Sequence, residues 1–115
     1  MAQLKNLTKN QIITAKVIEA RTFWERSKGL LGRDGIDRDT SMWIHQCPSI
    51  HTFFMRFTID AVFVDHQLKV TSIKDKIPPG RITVPTFGSS SVFEMAAGLA
   101  REMNIQVGDQ LHVGD

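Results

Sequence analysis

His45, Cys47 and His51 place two imidazoles and the chain's only cysteine within seven residues, at the start of the stretch HQCPSIHTFFMRFTID. Imidazole nitrogen and thiolate sulfur are zinc ligands, and three of them with an open fourth position would make a hydrolytic metal site. The same residues suit thiol chemistry, with Cys47 as nucleophile and His45 or His51 as base, if the thiol is exposed and a cationic neighbour lowers its pKa. Either chemistry needs the three side chains on one face. A hairpin pairing Met42–Cys47 with His51–Arg56 across Pro48-Ser49-Ile50 would provide it, setting Cys47 opposite His51 and His45 opposite Phe53. Against this, a one-residue change in loop length turns His51 away, and the segment holds no nearby carboxylate. Trp43, Phe53 and Met55 would crowd the same face, where cysteine behaves as a small hydrophobe. The structural reading is preferred, with no cofactor expected and zinc on His45, Cys47 and His51 as the alternative.

Asp60 and Glu94 could divide acid and base roles as a carboxylate pair. Each lies at the edge of an apolar run, where a carboxylate more often accepts backbone N–H bonds or pairs with a cation such as Arg56. Both are read as structural polar residues. Arg26, Arg33 and Arg56 offer planar guanidinium forks suited to carboxylate or phosphate. Together with Trp24 or Phe54 as an aromatic wall, they form the candidate ligand-binding set, for an anionic small molecule, peptide or glycan. KGLLGRDG matches neither GxGxxG nor GxxxxGK[ST], so its glycines are assigned to a helix end and a turn. His66 and His112 read as a turn and a strand residue.

These residues must be positioned by short β-elements. Gln11 to Ala20 is β-branched and reads as the first strand, after an N-terminal tail over residues 1–10. Thr22 with Glu25 three residues on signals a helix start, and the glycines keep that helix short. Ser41 to Ile77 is β-rich, with Asp65-His66-Gln67 breaking two apolar runs into a hairpin whose first strand is apolar on both sides. The stretch around Pro78, Pro79 and Pro85 suits an edge strand. AAGLAREMN reads as a second short helix stopped by Asn104, and Gly108-Asp109 as a turn into a last strand. The expected fold is mainly β, a small sandwich or partly open barrel with two short helices, residues 11–115 forming a single domain.

A chain of 115 residues with 42% hydrophobic and 23% charged residues is an ordinary packed domain by composition. The formal charge is +2, with eight Lys/Arg against five Asp/Glu in residues 1–40. That is too sparse a basic stripe for nucleic acid, which is not an expected partner. One cysteine makes no internal disulfide and fits a reducing compartment. No signal-peptide pattern and no membrane span are present, so a cytoplasmic location is expected.

Three blocks in order, RSKGLLGR (26–33), MWIHQCPSIHTFFMRFTIDAVFVD (42–65) and FEMAAGLAREMNIQVGD (93–109), resemble domain-of-unknown-function family 192. Arg26, Gly29, Leu30, Gly32 and Arg33 match its first motif. Phe53, Met55, Arg56, Ile59 and Asp60 match its second, and Glu94 with Gly98 its third. Thr58 stands where proline would be expected, and Leu31 where methionine is usual. The resemblance implies a compact β-rich fold and brings no activity, substrate or cofactor. The leading expectation is a non-catalytic ligand-binding or accessory domain with an unknown anionic ligand or protein partner. The alternative is a metal-dependent or thiol hydrolase-like enzyme.

Overall fold

The computed structural model describes residues 2–22, 25, 30–47 and 49–115. Its strands, in chain order, are β1 Gln3–Asn6, β2 Gln11–Thr14, β3 Lys16–Ala20, β4 Thr40–Ile44, β5 Ile59–Val64, β6 Val70–Ile77, β7 Ser91–Ala96 and β8 Leu111–Gly114. One short helix among the described residues, α1 Leu99–Glu102, precedes β8. The strands form two sheets of order β2-β1-β8 and β3-β4-β7-β5-β6, neither closed into a barrel. All pairings are antiparallel except β3 with β4.

The mainly β expectation holds, and three local expectations are corrected. The expected tail over residues 1–10 is not one where the structure describes it, from residue 2: β1 is the central strand of the smaller sheet, with Leu4 and Asn6 fully buried. Gln11–Ala20 is not one strand. It bends at the exposed Ala15, giving β2 to one sheet and β3 to the other, because each half finds hydrogen-bonding partners on a different strand. The hairpin of Met42–Cys47 with His51–Arg56 does not form. Both edges of β4 are taken, by β3 and β7, which leaves no ladder for the following segment.

β5 is buried along its whole length, as the sequence predicts, and the period of two explains both faces. Val62 and Val64 point into a core shared by the two sheets, with Leu4, Ile13, Phe93, Met95 and Leu111. Ile59, Ala61 and Phe63 point the other way, into a second core with Met42, Ile44 and Val92, roofed by Leu30, Ile50 and Met55 from the loops. The Asp65-His66-Gln67 turn joins β5 to β6, its Asp65 carboxylate accepting the N–H groups of Gln67 and Lys69 at 2.9 and 3.0 Å. The sheets are stitched by a buried hydroxyl pair, Thr14 Oγ1 to Ser41 Oγ at 2.9 Å.

The first helix of the sequence reading falls largely outside the described residues. Its capping residues are in place: Thr22 Oγ1 accepts the Glu25 N–H at 3.1 Å, and Glu25 Oε1 accepts the Thr22 N–H at 3.1 Å. That is the reciprocal pairing of a capping box. α1 starts at Gly98, whose φ of 88° suits glycine and which carries no side chain to cap with. Asp60 from β5 supplies the missing acceptor, its Oδ2 taking the Ala100 N–H at 2.8 Å.

Candidate functional site

The His/Cys cluster that opens the sequence reading is dispersed by the fold. His45 follows β4, half-buried, with Nε2 3.3 Å from Glu19 Oε2 of β3 and its ring 4.1 Å from the Trp43 ring. Cys47 donates its thiol to the Ser49 carbonyl at 2.9 Å. His51 is exposed and stacks on Phe53 at 5.6 Å. Among the described residues, no group of three or more His, Cys, Asp or Glu side chains could share a metal ion. The physical reason is the absent hairpin. His45 continues a central strand, whereas His51 belongs to a loop bridged to Ile82. His45 does line an open cavity of about 240 Å³ with Trp43, Asp65, His66 and Ser91. An imidazole beside a carboxylate could move a proton there, but neither Cys47 nor His51 lines that cavity.

The two carboxylates part company. Asp60 is 0% exposed and accepts two backbone N–H groups, Lys76 at 2.7 Å on Oδ1 and Ala100 at 2.8 Å on Oδ2. It does not pair with Arg56, which binds Asp34 Oδ1 at 2.9 Å instead. Glu94, 5% exposed, has neither of the expected partners. It lies between Met42 and Ala61 in the ladder, on the face filled by the second core, and among the described residues no hydrogen bond or ion pair reaches its carboxyl group. Burial pushes its pKa up to about 7.

Of the ligand-binding set, Trp24 and Arg26 lie outside the described residues. Arg33 lines an open cleft of about 410 Å³ with Lys16, Ile18, Ile36, Asp37 and Thr40. Arg56 is next door, through its ion pair to Asp34, the neighbour of Arg33 in the chain, but does not line that cleft. Phe54 is 89% exposed on the loop after Thr52, with φ at 66°. The cleft is held from below by β3 and from the side by the loop entering β4, where the Lys16 N–H donates to the Asp39 carbonyl at 3.0 Å and the Thr40 N–H to the Asp37 carbonyl at 3.0 Å. Among the described residues, neither Arg33 nor Lys16 forms an ion pair, so both cations face the cleft's solvent, with Asp37 the opposing charge. Lys16 carried no sequence signal; only the parallel pairing of β3 with β4 brings it beside residues 33–40.

Comparison with known proteins agrees with this fold. A family model described as "Uncharacterized ACR, COG1430", DUF192, matches residues 3–113. A UPF0127 protein of Thermococcus sibiricus is 30% identical over 112 residues, covering 94% of this chain and 72% of that protein. Another, from Pyrococcus furiosus, is 28% identical over 92% of this chain and 93% of its own. A crystal structure of a protein of unknown function from Novosphingobium aromaticivorans superposes with a TM-score of 0.82 at 24% identity, over 96% of this chain and 82% of that one. A Sinorhizobium meliloti structure does so with a TM-score of 0.81 at 19% identity, over 97% and 91%. At these identities the two structures speak for the fold alone. No described helix is long and apolar enough to cross a membrane.

Proposed function

The chain belongs to the uncharacterised DUF192 family, and within it we propose a non-catalytic binding domain whose ligand is an anionic small molecule held at the Arg33–Lys16 cleft. The observation that carries the reading is two cations, without ion-pair partners among the described residues, bordering one concavity over the apolar floor of Ile18 and Ile36. A planar guanidinium can engage a carboxylate or phosphate through two parallel bonds, while the ammonium adds a mobile point charge. Thr40 adds a hydroxyl at the cleft wall. Asp37 opposes anion entry and sets a modest affinity.

Titration with citrate and inorganic phosphate, followed by amide NMR shifts, tests the reading. Shifts should centre on residues 16–18 and 33–40. Arg33→Ala or Lys16→Ala should weaken binding by about tenfold, the loss of roughly 1.4 kcal/mol expected for one charge-assisted hydrogen bond. Asp37→Asn should tighten it, and 1 M salt, with a screening length of about 3 Å, should abolish it. Scattered shifts unaffected by Arg33→Ala would end the proposal.

A further inference from the structure

Residues 81–84 run beside residues 50–52 as a short antiparallel pair centred on the bridge between His51 and Ile82. Its hydrogen bonds are the Thr52 N–H to the Arg81 carbonyl at 2.7 Å and the Thr83 N–H to the Ile50 carbonyl at 2.9 Å. In an extended strand, N–H and C=O groups alternate between its two edges. Arg81 and Thr83 therefore spend theirs inward, and the groups of Ile82 and Val84 face outward. Among the described residues, no hydrogen bond engages the backbone of Ile82 or Val84.

The side chains alternate in the same way. Thr83 is buried and bonded to Ile50, while Ile82 is 68% and Val84 76% exposed. The scaffold behind them is firm. Thr52, fully buried, donates its hydroxyl to the Pro78 carbonyl at 2.6 Å and accepts the Arg81 N–H at 2.9 Å, and its carbonyl takes the Gly80 N–H at 2.9 Å. Two residues beyond Thr52, the same loop presents Phe54 outward from a left-handed backbone. Among the described residues, Arg81 has no ion-pair partner.

We propose that Arg81–Val84 is a strand-addition edge that takes an extended segment of a partner protein, apolar at alternate positions and acidic beside Arg81. The unpaired backbone groups specify an extended backbone, because only a strand offers donors and acceptors at their spacing. Ile82 and Val84 specify apolar residues at every second position of that strand, and Arg81 specifies the charge at its end. Pro85 limits the edge to a short register, a device by which sheets restrict unwanted pairing, while leaving Ile82 and Val84 exposed.

The test uses a blocked peptide alternating valine and threonine with a terminal aspartate, added to the isotope-labelled full chain. The Ile82 and Val84 amides should shift on binding and exchange with solvent about tenfold more slowly or beyond, as newly bonded amides do. The same peptide N-methylated at alternate residues, which leaves the protein untouched, should bind at least about tenfold more weakly, as should Val84→Pro with the unmodified peptide. Equal binding of the N-methylated peptide would reduce the contact to apolar adhesion and overturn the proposal. So would a concentration-dependent dimer dissolved by Val84→Pro, which would make a second copy of this chain the occupant.

Discussion

Burial among methionine, alanine and valine side chains disfavours the ionised form of a carboxylic acid, and Glu94 is in that position. Its pKa rises from 4.5 to about 7 through burial alone. In the unfolded chain Glu94 ionises near the ordinary value, whereas in the folded chain it holds its proton until near neutrality. Its contribution to stability is therefore complete below about pH 4.5 and is lost as the pH rises toward 7. At 1.36 kcal/mol per pKa unit the loss by pH 8 is about 3 kcal/mol. Urea unfolding at pH 5 and pH 8 should show that decline, and Glu94→Gln should flatten it. An equally steep decline in the variant would place its origin elsewhere. That Glu94 stood out was legible in the sequence as a carboxylate at the edge of an apolar run. That its carboxyl has no partner among the described residues was not, since this depends on Met42 and Ala61 arriving beside it from β4 and β5.

Among the elements, β5, β6 and α1 meet at one side chain. Asp60 joins them by giving one oxygen to Lys76 on β6 and the other to Ala100 at the start of α1. Asparagine at this position would turn an NH₂ toward a backbone N–H and leave a buried donor without an acceptor. Asp60→Asn, which leaves the amide NH₂ and one backbone N–H unsatisfied, should cost about 2–6 kcal/mol, at ~1–3 kcal/mol per group, and lower the melting temperature with α1 opening first in hydrogen exchange. Unchanged stability would show that the two N–H groups find other acceptors. Local patterns predicted well what had a local cause: the Thr22–Glu25 cap, the Asp65 turn, the stop of α1 before Asn104 and the turn at Gly108-Asp109 that precedes β8. They failed at β4, because a hairpin between neighbouring segments is a local inference. The strand's two real partners come from residues 16–20 and 92–94, out of reach of any short window. The same failure scattered His45, Cys47 and His51.

Across the whole molecule the smaller sheet depends on the two ends of the described chain. β1 pairs with β8 over the full run from Gln3–Gly114 to Asn6–Leu111. Asp109 secures the junction, its Oδ2 accepting Asn6 Nδ2 at 2.8 Å, Lys9 Nζ at 2.6 Å and the Gln106 N–H at 3.0 Å. Burial raises the Asp109 pKa, but these bonds outweigh it and hold the pKa below the ordinary 3.8. Its stabilisation is present above that value and is lost as the pH falls through the lowered one. Asp109→Ala should cost about 1–3 kcal/mol at pH 7 and speed amide exchange in β1 and β8 before it touches β5. Uniform acceleration across both sheets would mean that the small sheet does not open on its own.

The pairing of β1 with β8 also orders events during synthesis. Asn6 and Asp109 are 103 residues apart in the chain, so β1, which can pair early with the neighbouring β2, waits through that length of synthesis before β8 can fill its other edge. At about 5–20 residues per second that wait lasts roughly 5–20 seconds. During it, Leu4 and Ile13, both buried in the finished fold, are accessible to whatever binds nascent apolar strands.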